Sequence, residues 1–114
     1  MFNRFVLFPV KCSLNGLRFL CKERAFLVEI AIGFIVFPML FYWLGINIKL
    51  LAVIVSYFAI LVTEALNTAV ESVVNFVSPE YNFLAKKAKD MGSAAVFLAV
   101  VNALVVLLLS MAAK

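Results

Sequence analysis

Three long apolar runs restrict what this chain can fold into. Residues 30–48 form a run of nineteen residues without a charge, and residues 91–113 form one of twenty-three. A transmembrane helix needs about 20 apolar residues, so each run is long enough to cross a bilayer. The run 50–63 has only fourteen residues, but no Gly or Pro follows it until Pro79. Because a helix in lipid must satisfy its own backbone, we predict one continuous helix over residues 49–77.

That predicted helix carries four polar side chains on one face. At roughly 100° per residue, Asn67, Glu71 and Asn75 lie within about 60° of Glu64, so the four form a single stripe on an otherwise apolar helix. An ionisable group at membrane depth costs at least about 2.5–3.5 kcal/mol, which makes such a stripe a candidate functional site. Glu64 and Glu71 are separated by roughly 10 Å along the helix axis.

The charges indicate how the chain is oriented. With 114 residues, 67% of them hydrophobic, the chain is typical of a single membrane domain. Its net charge is +4, and eight of its ten basic residues lie either before the first apolar run or between the second and the third, namely Arg4, Lys11, Arg18, Lys22 and Arg24, and Lys86, Lys87 and Lys89. This is the positive-inside pattern, so it predicts a cytoplasmic N-terminus and gives no reason to expect a nucleic-acid partner.

The resulting fold prediction is an all-α, multi-pass membrane protein with one domain, residues 1–114. An amphipathic surface helix covers about residues 1–24, and the membrane spans cover 25–45, 49–77 and 90–113. Residues 85–89 are expected to form a short basic segment on the inner surface, and Asp90 is expected to cap the last helix. So few helices can hardly enclose a polar site alone, and we therefore expect an oligomer.

On this topology every acid lies in the inner half of the membrane or at its cytoplasmic face. The six acids are Glu23, Glu29, Glu64, Glu71, Glu80 and Asp90. Carboxylates beside lysines suit Mg²⁺ and the phosphates that accompany it. The chain has no His and no glycine-rich nucleotide-binding motif, which excludes His-dependent triads and the common nucleotide folds. Lipid phosphoryl transfer, proton or cation transport, and a structural polar seam all stay open on these residues alone.

Four segments of the sequence resemble those of a known family. The segment from Glu64 through Val74 matches Glu-x-aliphatic-Asn-Ser/Thr-small-aliphatic-Glu-x-x-Val, and Ala88-Lys89-Asp90-Met91-Gly92-Ser93-Ala94-Ala95 matches a second block. Gly16-Leu17-Arg18 and Glu23-x-Ala-Phe26-x-x-Glu29 agree as well. In these segments the chain is similar to the prokaryotic diacylglycerol kinases, small trimeric enzymes of the bacterial inner membrane.

The resemblance implies a reaction and a role for each matching residue. ATP and Mg²⁺ would phosphorylate the hydroxyl of diacylglycerol, in sites shared between the subunits of a homotrimer. Glu64 would be the general base, Asn67 would hold its carboxylate, and Glu23 and Glu71 would bind the metal. The implied ATP-binding residues are Glu23, Glu71, Glu80, Tyr81, Asn82, Lys89 and Asp90, and the implied lipid-binding residues are Glu29, Glu64 and Ser93.

The chain departs from the family pattern in two places. Asn75 stands where the signature ends in Asp, which removes a negative charge beside the implied metal site. The interval between Arg18 and Glu23 is one residue shorter than the family pattern. Two alternatives also stay open, a polyprenol kinase that acts on undecaprenol with the same signature, and a small proton-coupled transporter that uses Glu64 as a proton site.

Overall fold

The structure is a computed structural model that describes residues 7–113, and these residues form four α-helices without a strand. They are α1 (Phe8–Leu20), α2 (Arg24–Leu44), α3 (Ile48–Val77) and α4 (Phe83–Ala112). The last three are long and apolar enough to cross a membrane. This confirms the predicted fold class of one shorter N-terminal helix followed by three apolar helices. The first six residues of the predicted surface helix lie outside the described residues.

The helix boundaries follow local sequence signals. Pro9 lies in the first turn of α1, where its missing N–H removes no helical hydrogen bond. The turn between α2 and α3 places Gly45 at φ 74°, a conformation that side chains with a Cβ disfavour. Asn47 then caps α3, because its side-chain oxygen accepts hydrogen bonds from the backbone of Lys49 at 2.9 Å and of Leu50 at 3.3 Å.

Helix α3 continues without a break through Glu64 and Glu71, as predicted. The prediction for the start of α4 was wrong, because the helix begins at Phe83 and includes the basic segment 85–89. Its cap is Asn82, whose side-chain oxygen accepts hydrogen bonds from the backbone of Leu84 and Ala85 at 2.8 and 3.4 Å. Asp90 therefore lies inside the helix. An Asx cap at residue 82 and good helix formers after it explain the earlier start.

The three long helices pack as antiparallel neighbours, with α3 in the middle and its larger interface on α4. At one end of the bundle Leu40, Leu50 and Val53 are buried together, and Val106 and Leu107 of α4 pack against them. At the same end the Lys49 ammonium donates to the Ala113 carbonyl, which joins the start of α3 to the end of α4. On the predicted topology this apolar end faces away from the cytoplasm.

Most of the apolar surface stays on the outside. The accessible surface is 8903 Å², whereas a compact soluble protein of 12.7 kDa has about 6,200 Å². Tyr42, Phe76 and Phe34 are 92%, 89% and 79% exposed. Such an exterior is suited to lipid or to further subunits, so the helices are those of a membrane protein.

Candidate active site

The polar stripe of α3 divides into a buried part and an exposed part. Glu64 and Asn67 are 9% and 8% exposed, although both are polar and the chain buries few side chains of any kind. Glu71 and Asn75, further along the helix, are exposed. The four residues share one face as predicted, but α2 and α4 cover only its deeper half. The site is therefore closed around Glu64 and open at Glu71.

Gly92 of α4 allows the closest approach of a neighbouring helix to this stripe. A Cβ atom built on Gly92 would overlap the Asn67 Oδ1 atom, and it would lie 3.3 Å from Asn67 Cγ and 3.9 Å from Asn67 Cα. Only a residue without a side chain leaves room for the amide. Of the small residues that begin the predicted third span, Gly92 is thus the one that accommodates Asn67 of α3.

The Asn67 amide has a different partner from the one that the resemblance implied. Its Nδ2 donates to Glu71 Oε1 at 3.4 Å, one helical turn away, rather than to Glu64. Its Oδ1 is buried without a hydrogen-bond partner among the described residues. Because only the Nδ2 end of an amide can donate to a carboxylate, the Oδ1 end has to face Gly92. Asn67 is therefore arranged to position Glu71.

Carboxylates from α2 approach those of α3. Glu64 lies within electrostatic range of Glu71 and of Glu23, the residue that precedes α2. Glu29, in the second turn of α2, lies within range of Glu64, and its Oε2 is buried without a hydrogen-bond partner among the described residues. Like charges in such proximity repel one another. The arrangement is therefore suited to a cation or to a proton donor between the two helices.

The donor set is suited to a metal that a nucleotide brings with it. Within residues 7–113 no group of three acidic or cysteine side chains lies close enough to hold an ion by itself. Mg²⁺ is usually bound in such sites by one or two carboxylates and completed by phosphate oxygens and water. Glu71 and Glu23, both exposed and both near Glu64, supply that number. Their chemistry therefore fits a phosphate-bound Mg²⁺.

A groove of about 670 Å³ between α1 and α3 opens beside Glu23. Its walls combine the backbone at Gly16 with Lys22 and Glu23 on one side and with Thr68 and Ser72 of α3 on the other. Both α3 hydroxyls donate to backbone carbonyls one turn earlier, Thr68 to Glu64 at 2.9 Å and Ser72 to Thr68 at 3.0 Å. Neither residue could be selected from the sequence, because a hydroxyl in a helix carries no distinctive spacing signal.

The remaining implied nucleotide residues lie toward one end of α3 and α4. Asp90 pairs with Lys86 at 2.6 Å, an exposed i,i+4 ion pair, whereas the resemblance grouped it with Lys89. Glu80 and Tyr81 are exposed in the α3–α4 turn. Because α3 ends at Val77, this turn lies about 20 Å from Glu64 along the helix axis and about half as far from Glu71. The turn is thus nearer to Glu71 than to Glu64.

The other implied lipid residues lie on the two helices that flank α3. Glu29 is half-buried near Glu64, and Ser93 is exposed on α4 directly after Gly92. The Tyr57 hydroxyl donates to the Glu29 backbone carbonyl at 2.7 Å, which ties α2 to α3 at this level. No motif in the sequence identifies Tyr57, because its partner on α2 is a backbone atom.

Comparisons with known proteins identify the family of the chain. Residues 11–111 match the family described as prokaryotic diacylglycerol kinase. A diacylglycerol kinase of Haemophilus influenzae is 39% identical over 90 residues, which cover 78% of this chain and 76% of that protein. A diacylglycerol kinase of Escherichia coli K12 is 41% identical over 64 residues, covering 55% of this chain and 52% of that protein.

A third relative, a diacylglycerol kinase of a Sinorhizobium species, is 37% identical over 82 residues, which cover 71% of this chain and 59% of that protein. Two of these three matches thus span only 52% and 59% of the relative. The family match nevertheless extends from within α1 to the last turn of α4, and it includes every residue of the polar stripe. The chain therefore belongs to the prokaryotic diacylglycerol kinase family, which confirms the family and the kinase class expected from its sequence.

Proposed function

We propose that this chain transfers the γ-phosphoryl group of ATP to the hydroxyl of diacylglycerol and forms phosphatidic acid at the cytoplasmic membrane interface. The observation that carries the proposal is the division of the α3 stripe. Glu64 is buried at the level where a lipid hydroxyl would arrive, whereas Glu71, about 10 Å along the axis, is exposed where ATP would arrive.

Glu64 is the proposed general base, because its carboxylate can accept the proton of the attacking hydroxyl. Its burial keeps water away from the reacting oxygen. Glu29, whose Oε2 has no hydrogen-bond partner among the described residues, could in its protonated form donate a hydrogen bond to an ester carbonyl of the same lipid. The exposed hydroxyl of Ser93 lies at the α4 side of this region and is the third proposed lipid contact.

Glu71 and Glu23 are the proposed carboxylates for Mg²⁺. Together they would hold the ion, which would supply positive charge to the phosphate oxygens of ATP. Asn67 keeps the Glu71 carboxylate in position through the 3.4 Å contact described above. This is a modified role for Asn67, since it acts on the metal-binding carboxylate and not on the base.

The nucleotide itself is proposed to lie between the α1–α3 groove and the basic start of α4. Lys89 would compensate phosphate charge, and Asp90, held by Lys86, would orient the neighbouring donors. The exposed turn with Glu80, Tyr81 and Asn82 would contact the part of the nucleotide that lies furthest from Glu64. Asn82 can contribute only its amide nitrogen, because its oxygen caps α4.

The assembly is proposed to be a homotrimer in the bacterial inner membrane, with the N-terminus in the cytoplasm and residues 1–114 forming one domain. The large apolar exterior of the chain supports burial against lipid and other subunits. The open side of the stripe at Glu71 supports completion of each site by a neighbouring subunit, since the described helices cover only its deeper half.

The proposal is tested with purified protein in mixed micelles containing ATP, Mg²⁺ and either diacylglycerol or undecaprenol. We expect phosphatidic acid from the first lipid, loss of turnover by about 10²–10⁴-fold in Glu64→Gln, and an unchanged assembly and thermal midpoint in that variant. Asn102→Ala, an exposed α4 position away from the stripe, serves as the control. Faster turnover of undecaprenol would identify undecaprenol, and not diacylglycerol, as the lipid substrate. Proton flux in liposomes without any turnover would refute the kinase.

A further inference from the structure

The hydroxyl groups that line the α1–α3 groove share one hydrogen-bonding pattern. Among the described residues they belong to Ser13 of α1 and to Thr68 and Ser72 of α3. Each hydroxyl donates its hydrogen to the backbone carbonyl four residues earlier in its own helix, at 2.9, 2.9 and 3.0 Å respectively. A hydroxyl whose hydrogen is engaged in this way keeps two lone pairs. These three side chains therefore offer hydrogen-bond acceptors to the groove and no donors.

This pattern indicates which kind of group suits the α3 wall of the groove. An ionised phosphate has only acceptor oxygens, so it gains nothing from the lone pairs of a hydroxyl. Among the described residues around the groove only Lys22 is basic, and its ammonium lies 5.8 Å from the centroid of the Phe19 ring. Water bound to a divalent cation is the opposite case, because the ion polarises its O–H bonds and makes them strong donors. The wall at Thr68 and Ser72 is therefore suited to the water around a metal ion.

Thr68 and Ser72 also lie close to the proposed metal-binding carboxylates. Thr68 comes three residues before Glu71, so the two side chains are neighbours on the surface of α3, and Ser72 lies one turn after Thr68 on the same side. Glu23 lines the same groove as both hydroxyls, on the wall next to α1. Asn67 contacts Glu71 from the other side of the helix, next to α4. An ion shared by Glu23 and Glu71 is therefore adjacent to the two hydroxyls.

We propose that Thr68 and Ser72 are positioning residues for the metal, each accepting a hydrogen bond from a water molecule that Mg²⁺ retains when Glu23 and Glu71 bind it. The inference rests on the proposed function and adds to it the polar groups around the ion. Mg²⁺ is octahedral and dehydrates reluctantly, so two carboxylates and two phosphate oxygens leave about two positions for water. Two acceptors on α3 match that number. They hold the hydrated ion in one orientation between the helices.

The test measures metal binding without turnover. Mn²⁺, which also prefers octahedral oxygen ligands, is titrated into the intact protein in mixed micelles saturated with the non-hydrolysable analogue β,γ-imido-ATP, and free Mn²⁺ is followed by electron paramagnetic resonance. Thr68→Val and Ser72→Ala each remove one acceptor and leave both carboxylates in place. Loss of a hydrogen-bond partner around a metal typically weakens its binding 10–100-fold, so we expect the Mn²⁺ dissociation constant to rise about tenfold in each variant.

Two kinds of control separate this role from a packing defect. Thr63→Val removes another α3 hydroxyl that donates to carbonyls of its own helix, at 3.0 and 2.9 Å, but that does not line the groove. Its Mn²⁺ constant should equal that of the wild type. Thr68→Ser and Ser72→Thr keep the acceptor and should restore the wild-type constant. Weaker binding in Thr63→Val, or no recovery in the two conservative variants, would assign the effect to helix packing and overturn the proposal.

Binding of the nucleotide without metal distinguishes contact with water from contact with phosphate. In EDTA, Thr68→Val and Ser72→Ala should bind β,γ-imido-ATP as the wild type does. Weaker binding of the metal-free analogue would mean that the hydroxyls contact the phosphates, which would overturn the proposal. An unchanged Mn²⁺ constant in both variants would also overturn it and would leave the proposed kinase activity intact. A wild-type protein that binds no Mn²⁺ with the analogue would refute the metal site of the proposed function, and this inference with it.

Discussion

Gly92 of α4 lies against the Asn67 amide of α3 so closely that the Asn67 oxygen occupies the space of a side chain. This contact directs the Asn67 nitrogen toward Glu71. Replacing Gly92 with Ala should displace the amide and with it the Glu71 carboxylate. Since a misplacement of about 1 Å can cost about 10²-fold in rate, we expect kcat/KM of Gly92→Ala to fall by about that factor.

A double-mutant cycle shows whether Gly92 acts through Asn67. If it does, Gly92→Ala should have almost no further effect on kcat/KM in an Asn67→Ala background, where the amide is absent. Additive losses would mean that Gly92 merely packs the helices. The thermal midpoint of each variant in detergent provides the parallel measurement, because a packing defect would lower it in both backgrounds.

The start of α4 can be tested through its cap. Asn82→Ala removes the side chain that accepts hydrogen bonds from Leu84 and Ala85, so the free energy of unfolding should fall by about 1 kcal/mol. Asp90→Ala removes an exposed i,i+4 pair with Lys86, which contributes about 0.3–0.5 kcal/mol. Hydrogen exchange at residues 84–88 should therefore accelerate in Asn82→Ala and change little in Asp90→Ala.

The reverse result, fast exchange only in Asp90→Ala, would restore Asp90 as the cap. The activities of these two variants also test whether Asp90 contacts the nucleotide. Asp90 is a proposed nucleotide contact, so its variant should lose activity at nearly wild-type stability. Such a separation between activity and stability would distinguish the two roles that the sequence had combined in Asp90.

The sequence was sufficient to predict the elements that follow from composition and periodicity. The apolar runs predicted three long helices, and the absence of Gly or Pro predicted the continuity of α3 through Glu64. Spacing also placed Glu64, Asn67 and Glu71 on one face. Each of these features belongs to one helix, so each can be predicted from one continuous segment of the sequence.

Contacts between helices were harder to predict. Nothing in the spacing indicates that Tyr57 donates to a backbone carbonyl 28 positions earlier, or that Gly92 faces Asn67. Both contacts depend on the relative rotation and axial shift of two helices, which packing determines. The prediction of where α4 begins was wrong for another reason. Asp90 and Asn82 are both acceptable caps, and the first helical turn can begin at either.

The contact between Tyr57 and α2 should stabilise the fold measurably. Tyr57→Phe removes one hydrogen bond to Glu29 and retains the ring, so the free energy of unfolding should fall by about 0.5–1.5 kcal/mol. Gly33→Ala should have a larger effect, because the added methyl group must displace the ring itself. Reversible unfolding in mixed micelles measures both, with Tyr42→Phe, a 92% exposed tyrosine, as the control.

Asn75 is the position at which the chain departs from the family signature. Asn75 and Glu71 lie one turn apart and both are exposed, so Asn75→Asp would place a second carboxylate beside the proposed metal ligand. We expect the apparent constants for Mg²⁺ and ATP to decrease severalfold. Without metal the new like-charge pair should lower stability by about 0.2–0.5 kcal/mol. Unchanged constants would show that Asn75 is a neutral substitution.

Glu71 and Glu64 are proposed to have different roles, and variants of the two residues should respond differently to Mg²⁺. Glu71→Gln weakens a proposed metal ligand at the exposed end of the stripe, so the apparent constant for Mg²⁺ should rise at least tenfold. The variant should therefore regain part of its activity at high Mg²⁺ concentration. Glu64→Gln removes the proposed base at the buried end, and no concentration of Mg²⁺ should restore it. Titration of both variants with Mg²⁺ measures this difference. Recovery of Glu64→Gln by metal would place Glu64 in the metal site, and the two carboxylates would then share one role.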